Sequence, residues 1–434
     1  MSANKAETDP APAHAVDRSV RSAKIAVFAV FVLNGFNFAN WAARIPALRD
    51  DLDLSAAQVG LLLLVGSLGS ILALPFVGLV VQRLGAGRTV AVFAVANTAG
   101  LLVAAAGIVT GHLIVVGAGL MMFGIGTGTW DAAMNIEGAA VEQRLGKAIM
   151  PRFHAGFSFG TMAGAGVGAI AAQAHLSVFS HLASALVLSL AGGLWAVRAF
   201  LPAGSRIGAE TDAATDTAPG AATSPAAIVP DISRARHAFG AWLEPRTLMI
   251  GLVVLAAALT EGSANDWVGL AVVDGFDQTH AAGALIFGLF VTSMTAMRLL
   301  GTGLLDRYGR VAVLRMCAVL SIVGLLMFGL APSLPLALVG VVLWGVGAAL
   351  GFPVGMSAAS DDPVSAATRV SVVSTIGYTA FLAGPPLLGL LAAQVGYRHA
   401  LLAIVVPVVV GLLVLRATAP LPPAAGGPGR GHTS

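Results

Sequence analysis

The 434-residue sequence predicts an all-α membrane protein with twelve spanning helices in two six-helix pseudo-repeats, and three observations carry that expectation. The chain is 57% hydrophobic and only 10% charged, whereas a soluble domain carries about 25% charged residues. Its basic residues sort to alternate sides of the apolar runs. Its two halves repeat one another at matched spacings. With a mean hydropathy of +0.87, lipid must be the solvent for most of the chain.

Apolar runs bounded by charges or turn residues place spans at 25–44, 57–81, 89–110, 113–139, 152–173 and 178–200 in the first half. The second half places them at 247–268, 282–305, 311–330, 335–358, 369–393 and 399–417. Each run reaches the roughly 20 residues that cross a bilayer. The first is too long for the h-region of a cleaved signal, and further spans follow it. Glycine is abundant, at 53 residues, and small residues let helix backbones approach closely in lipid. All but Arg44, Arg49, Arg298 and Arg398 of the 24 lysines and arginines fall in or beside the tails and loops of one side. The positive-inside rule then predicts that both termini are cytoplasmic, and an odd number of spans would spoil the sorting.

The domain reading follows. Residues 21–200 form one six-helix bundle and 247–418 the other. Between them, 201–246 reads as a flexible cytoplasmic linker, because Ala209–Pro230 is rich in Ala, Thr, Pro and Gly and has no periodic apolar face. The tails 1–20 and 419–434 read as disordered.

The halves echo each other. Asn40-Trp41 ends the first span, and Gln82-Arg83-Leu84-Gly85-Ala86-Gly87-Arg88 follows the second. Asp266-Trp267 and Asp306-Arg307-Tyr308-Gly309-Arg310 stand at the matching places around spans seven and eight. Phe123-Gly124-Ile125-Gly126 of span four is matched by Trp344-Gly345-Val346-Gly347 of span ten. Parallel duplication about a linker is the construction of carriers whose halves rock against one another.

The loop after span two resembles the signature loop of the major facilitator superfamily, Gly-x-x-x-Asp-Arg-x-Gly-Arg-Arg. Gly78, Arg83, Gly85 and Arg88 fit it, with Gln82 at the acidic position. The second copy keeps Asp306, Arg307, Gly309 and Arg310, with Thr302 in place of the leading glycine. Span four, Gly128-Thr129-Trp130-Asp131-Ala132-Ala133-Met134-Asn135, is similar to the acid-x-Ala-x-Asn element of the fucose-permease-like branch of proton-coupled sugar symporters. Asn37–Pro46 and Glu261–Trp267 resemble bacterial permeases that include a membrane protein of the rhizopine, or inositol-amine, gene cluster. The resemblance implies a monomeric, multi-pass secondary transporter of the bacterial inner membrane. Its partners would be the lipid bilayer, protons and a small solute such as a sugar, polyol or inositol-like compound.

Ionisable groups within spans are costly and usually face a cavity or a partner. Asp131 leads the proton-coupling candidates. It shares a helical face with Gly124, Gly128, Asn135 and Gly138 that reads as cavity-facing, the alternative being a structural hydrogen bond to a neighbouring helix. Glu261 is the second candidate, against a packing role of equal standing. Asp266 is expected at the outer end of span seven. Asn34, Asn37, Trp41 and Arg44 form one stripe of span one. Amides that donate and accept, with an indole face, suit a polyhydroxylated ring, so Asn34, Asn37 and Trp41, with Asn135 and Asn265, are the cavity candidates. The rival reading has the amides bonding across helices and Trp41 in an interfacial belt. Arg83 and Arg88, with Glu137 and Glu142 at the end of span four, are expected to gate one side, with Asp306, Arg307 and Arg310 as their counterpart.

Other classes are disfavoured. The charge of +3 is too balanced for nucleic acid. A lone cysteine, Cys317, offers no disulfide or thiolate metal site, and neither metal nor cofactor is expected. No Gly-x-x-x-x-Gly-Lys-Ser/Thr loop is present to bind the phosphates of ATP, and no soluble catalytic domain stands apart, so the chain is not expected to be an enzyme. A drug or metabolite exporter of the same fold remains the first rival. The arginine early in span four and the Gly-Pro element in span five, typical of such exporters, are absent. A membrane sensor that binds without transporting is the second.

Overall fold

The computed structural model describes residues 13–145, 149–201, 241–361 and 366–421. Most of the linker reading (202–240) and most of the two tails (1–12 and 422–434) lie outside the described residues. Within them the chain is almost entirely helical and contains no strand.

Among the described residues, twelve helices are long and apolar enough to cross a membrane. Spans one to six are Arg18–Asp51, Ala56–Leu84, Ala86–Thr110, Leu113–Leu145, Arg152–Gln173 and Val178–Ala199. Spans seven to twelve are Pro245–Gly275, His280–Tyr308, Arg310–Leu330, Leu334–Ala359, Thr368–Val395 and Tyr397–Thr418. Every expected span is found, and four differ from expectation in instructive ways.

Span four continues through Val141-Glu142-Gln143-Arg144 to Leu145 instead of stopping near 139. Glu142 explains the extension: its carboxylate accepts hydrogen bonds from the backbone N–H groups of Ile149 and Met150, the otherwise unpaired donors that open the next helix. Span seven runs on to Gly275 through the apolar run Val268–Val273. Asp266 therefore stands inside a helix and not at its end, a correction to the sequence expectation.

Span ten is broken, with one helix over Leu334–Ala348 and another over Gly351–Ala359. Pro353 is the cause, because it lacks the N–H that would bond the carbonyl four residues back, at Ala349. Span one also bends at Ala43-Arg44 before resuming as Ile45–Asp51, with Pro46 in its first turn.

The chain divides into two compact units, Met1–Pro225 with Gln278–Gly288, and Ala226–Asp277 with Leu289–Ser434. In the first, span three packs along span four, span one along span five, and span two along span four. In the second, span nine packs along span ten and span seven along span eleven, and Gly345 of span ten meets the Phe290 carbonyl of span eight. The start of span eight belongs to the first unit. There Ala284 is buried with Ala43 and Ala169, and His280 Nε2 lies 2.7 Å from Asp50 Oδ2.

Glycine does matched work in both units. A Cβ on Gly100 or Gly119 would strike the other's backbone carbonyl across spans three and four, and Gly324 and Gly340 face each other likewise across spans nine and ten. Without a hydrophobic force between helices in lipid, this close approach supplies the packing energy. The signature loops repeat to the dihedral angle: Gly85 has φ 78° and ψ 155°, and Gly309 φ 78° and ψ 161°. That region is essentially open to glycine alone. The first unit's apolar core gathers around Trp130, Phe31 and Phe153, and the two phenylalanine rings stack with centroids 5.7 Å apart.

Candidate functional site

In the first unit the site is built on spans one, three and four. Asn37 is 1% exposed, and its Nδ2 donates to Asn97 Oδ1 at 3.1 Å. Asn97 in turn donates to Thr127 Oγ1 at 2.9 Å, and Thr127 donates to the Phe123 carbonyl at 2.8 Å. This neutral relay ties three spans. Asn34 is also buried, and its Nδ2 has no hydrogen-bond partner among the described residues. Trp41 is buried with its ring 6.4 Å from Phe123. Next to it, Asn40 Oδ1 lies 2.8 Å from His181 Nε2, which donates in the tautomer that carries its proton there. Arg44 donates to the Leu176 carbonyl at 2.6 Å. The span-one stripe thus lies inside the bundle, with Asn37, Asn40 and Arg44 bonded to other helices or their connections.

The glycine-polar face of span four is divided. Gly124 and Gly128 press against Gly66 and Ser70 of span two, and Gly138 against Met150 and Phe153. These positions serve close helix contact, so the expected continuous cavity face is not formed by them. Asp131 and Asn135 are different. Asn135 is half-buried, and its amide returns to the Asp131 carbonyl at 2.8 Å. The Asp131 side chain is exposed and has no hydrogen bond or ion pair among the described residues. A carboxylate in mid-span with no partner is costly against lipid tails.

In the second unit the polar groups are charged. Glu261, near the middle of span seven, accepts a 2.8 Å hydrogen bond from Arg298 Nη2 of span eight. Arg298 Nε donates at 3.1 Å to the Ala349 carbonyl, the one released by Pro353. Asn265 and Asp266 are half-buried. Asp266 lines a small pocket between spans seven and eleven with Gly262, Ser263, Phe381 and Pro385.

The loop residues behave differently in the two units. Arg83 and Arg88 are exposed, and neither forms an ion pair among the described residues. The acids expected to meet them bind backbone instead: Glu142 at the start of span five, and buried Glu137 at the Leu201 N–H, 2.6 Å away. In the second unit Arg310 Nη1 reaches both oxygens of Asp361 at 3.0 Å, and Arg246 Nη2 reaches the same carboxylate at 2.9 Å. Both guanidiniums also donate to carbonyls at the end of span twelve, Arg310 to Thr418 and Arg246 to Ala419 just beyond it. Asp306 is exposed, and Arg307 stacks over Tyr308 at 5.2 Å. A further pair joins Arg369 to Glu244 at 2.6 Å.

Sequence reasoning missed Asn97, Asp361, Arg246 and the Glu244–Arg369 pair. A signal existed for Asp361, which follows span ten much as Glu142 closes span four. For Asn97, an amide in an otherwise apolar span three was itself the signal.

Two units with twelve spanning helices among the described residues, duplicated glycine loops and polar groups set within the spans make the architecture of a membrane carrier. The chain belongs to the Major Facilitator Superfamily, whose sequence profile matches residues 27–363 and again 252–433. The uncharacterized transporter y4wD of Sinorhizobium fredii is 30% identical over 393 residues, spanning 88% of this chain and 97% of that protein. Membrane protein MosC of Rhizobium meliloti is 27% identical over 387 residues, or 88% and 86%. A point mutant of the nucleoside transporter NupG superposes with a TM-score of 0.69 at 14% identity, covering 92% of this chain and 98% of that one. A D-xylose–proton symporter gives 0.67 at 14% identity over 92% and 97%. A point mutant of the E. coli fucose:proton symporter FucP gives 0.57 at 14% over 93% and 100%. These likenesses establish the fold of a multi-pass membrane transporter, and neither family nor relatives are enzymes.

Proposed function

We propose that this transporter is a proton-coupled importer of a neutral polyhydroxylated solute, a sugar, polyol or inositol-like compound, in the bacterial inner membrane with both termini cytoplasmic. The observation that carries the reading is Asp131: a carboxylate at mid-span, open and unpaired among the described residues. Such a group binds a proton when its surroundings are dry and releases it when water enters. Alternating access supplies both conditions in turn. Asn135, one helical turn on, and half-buried Asn265 supply amide groups that hydrogen-bond hydroxyls. Proton-linked xylose and fucose symporters among the structural neighbours, and the sequence resemblance to the rhizopine-cluster membrane protein, support the substrate class.

The test is flux into proteoliposomes containing purified protein, with an imposed pH gradient and labelled myo-inositol and D-xylose. The wild type accumulates at least one of them when the outside is acidic. Asp131→Asn abolishes accumulation and keeps substrate exchange. Accumulation surviving in Asp131→Asn would remove the proton role. Outward movement driven by an inward proton gradient would make the protein an exporter.

A further inference from the structure

We propose that Glu261 and Arg298 together form a subsite for two neighbouring hydroxyl groups of the solute, joined directly to the break in span ten. The inference rests on the polyol reading above and names where the second unit takes hold of that solute.

The two side chains stand within spans, where a charged pair exposed to lipid tails is costly, yet 28% of Arg298 and 21% of Glu261 remain accessible. The pair is therefore open to water and not sealed in the bundle. Only part of its hydrogen-bonding capacity is used. Arg298 spends Nη2 on Glu261 Oε2 and Nε on the Ala349 carbonyl, which leaves Nη1 and Glu261 Oε1 without a partner among the described residues. Neither of those atoms is a buried orphan, so both are available to a ligand.

The chemistry of the free atoms selects the ligand. A guanidinium N–H donates and a carboxylate oxygen accepts, and the 2.8 Å Nη2–Oε2 bond holds the two side chains together. A vicinal diol answers both at once, one oxygen accepting from Nη1 while the neighbouring hydroxyl donates to Oε1. The pair is already neutral as a unit. A cationic or anionic solute would add an uncompensated charge beside a pair that already balances itself, so the subsite favours uncharged polyols.

The mechanical link is Ala349. Pro353 deprives its carbonyl of the ordinary helical donor, and Arg298 takes that donor's place. A ligand that pulls on the guanidinium acts on the joint between Leu334–Ala348 and Gly351–Ala359 without any intermediary.

The experiment is a thermal-shift titration of the purified full-length protein with myo-inositol and D-xylose. D-glucosamine and D-glucuronate serve as charged analogues and cyclohexanol as a ring with one hydroxyl. The variants are Glu261→Gln, Arg298→Gln, Arg298→Lys and the swap Glu261→Arg/Arg298→Glu. We expect a neutral polyol to stabilise the wild type and cyclohexanol to have no effect. Glu261→Gln and Arg298→Gln should weaken apparent affinity by about tenfold to a hundredfold, as expected for a lost hydrogen bond to a charged group. Should Arg298→Gln not fold, Arg298→Lys keeps the cation without the fork, and weakened binding in that folded variant supports the subsite equally.

Unchanged polyol affinity in the folded single variants would overturn the subsite and leave the polyol reading standing. So would a swap that restores both stability and affinity, since the pair would then be structural. Stronger stabilisation by glucosamine or glucuronate than by the neutral polyols would also overturn it. No stabilisation and no exchange with any neutral polyol in the wild type would remove the polyol reading and the subsite together.

Discussion

The two units share a plan of helices and glycines but solve the problem of polar groups in lipid by different means. The first relies mainly on neutral and backbone partners, with the Asn37–Asn97–Thr127 relay, the Asn40–His181 contact, Arg44 on the Leu176 carbonyl, and acids that bind backbone N–H groups. At the end of span one it also has ionic contacts of Asp50 with Arg49 and His280. The second uses ion pairs, with Arg298–Glu261, Arg246 and Arg310 on Asp361, and Arg369 on Glu244. The difference teaches where an open charge is left over. In the second unit each of these carboxylates is held by a guanidinium, and Asp266, which is not, is half-buried in its pocket. In the first, Asp131 stands exposed in mid-span with no counter-ion among the described residues, which suits a group that must gain and lose a proton.

That contrast can be broken at its strongest point first. Asp361→Ala removes the one carboxylate that balances two guanidiniums, in a side chain only 12% exposed. It should cost about 3–5 kcal/mol, read as a large fall in the thermal unfolding temperature of the purified protein. Asn37→Ala cuts the neutral relay and leaves Asn97 Oδ1 without its donor. The expected loss is smaller, about 1–2 kcal/mol, because measured hydrogen bonds between spans are modest. Equal losses in the two variants would erase the contrast.

Pro353→Ala tests the joint in span ten. It returns an N–H to the Ala349 carbonyl and frees Arg298 from that duty, so stability should rise by up to about 1–3 kcal/mol while exchange slows. The smallest effect is that of salt. Raising ionic strength should weaken the partly exposed ion pairs by about a few tenths of a kcal/mol. In single-tryptophan variants retaining Trp344 or Trp130, the second-unit reporter should shift more than the first-unit reporter.

Much of this was legible in the chain. Hydropathy located all twelve spans, and the paired loops at Arg83 and Arg307 located the duplication, because lipid and glycine-only dihedrals leave the sequence little choice. Asp131 was legible as an ionisable residue at the centre of an apolar run. The partners were not, since helical spacing tells which residues share a face but not which helix that face meets. For that reason Gly124 and Gly128 read as cavity lining when they are contacts with span two, and Glu261 read as a proton site or a packing acid with no partner named, where Arg298 stands 2.8 Å away. The break in span ten was within reach. Pro353 announces a freed carbonyl at Ala349, but an unbroken apolar run hides it from hydropathy.

The division of labour between the units is open to one direct comparison: proton-driven accumulation and gradient-free exchange of labelled myo-inositol and D-xylose, measured side by side in proteoliposomes of Asp131→Asn and Glu261→Gln. The account predicts that Asp131→Asn exchanges the solute but no longer accumulates it. Glu261→Gln should still accumulate it, with an apparent affinity about tenfold or more weaker. Accumulation retained in Asp131→Asn and lost in Glu261→Gln would place coupling in the second unit and contradict the account.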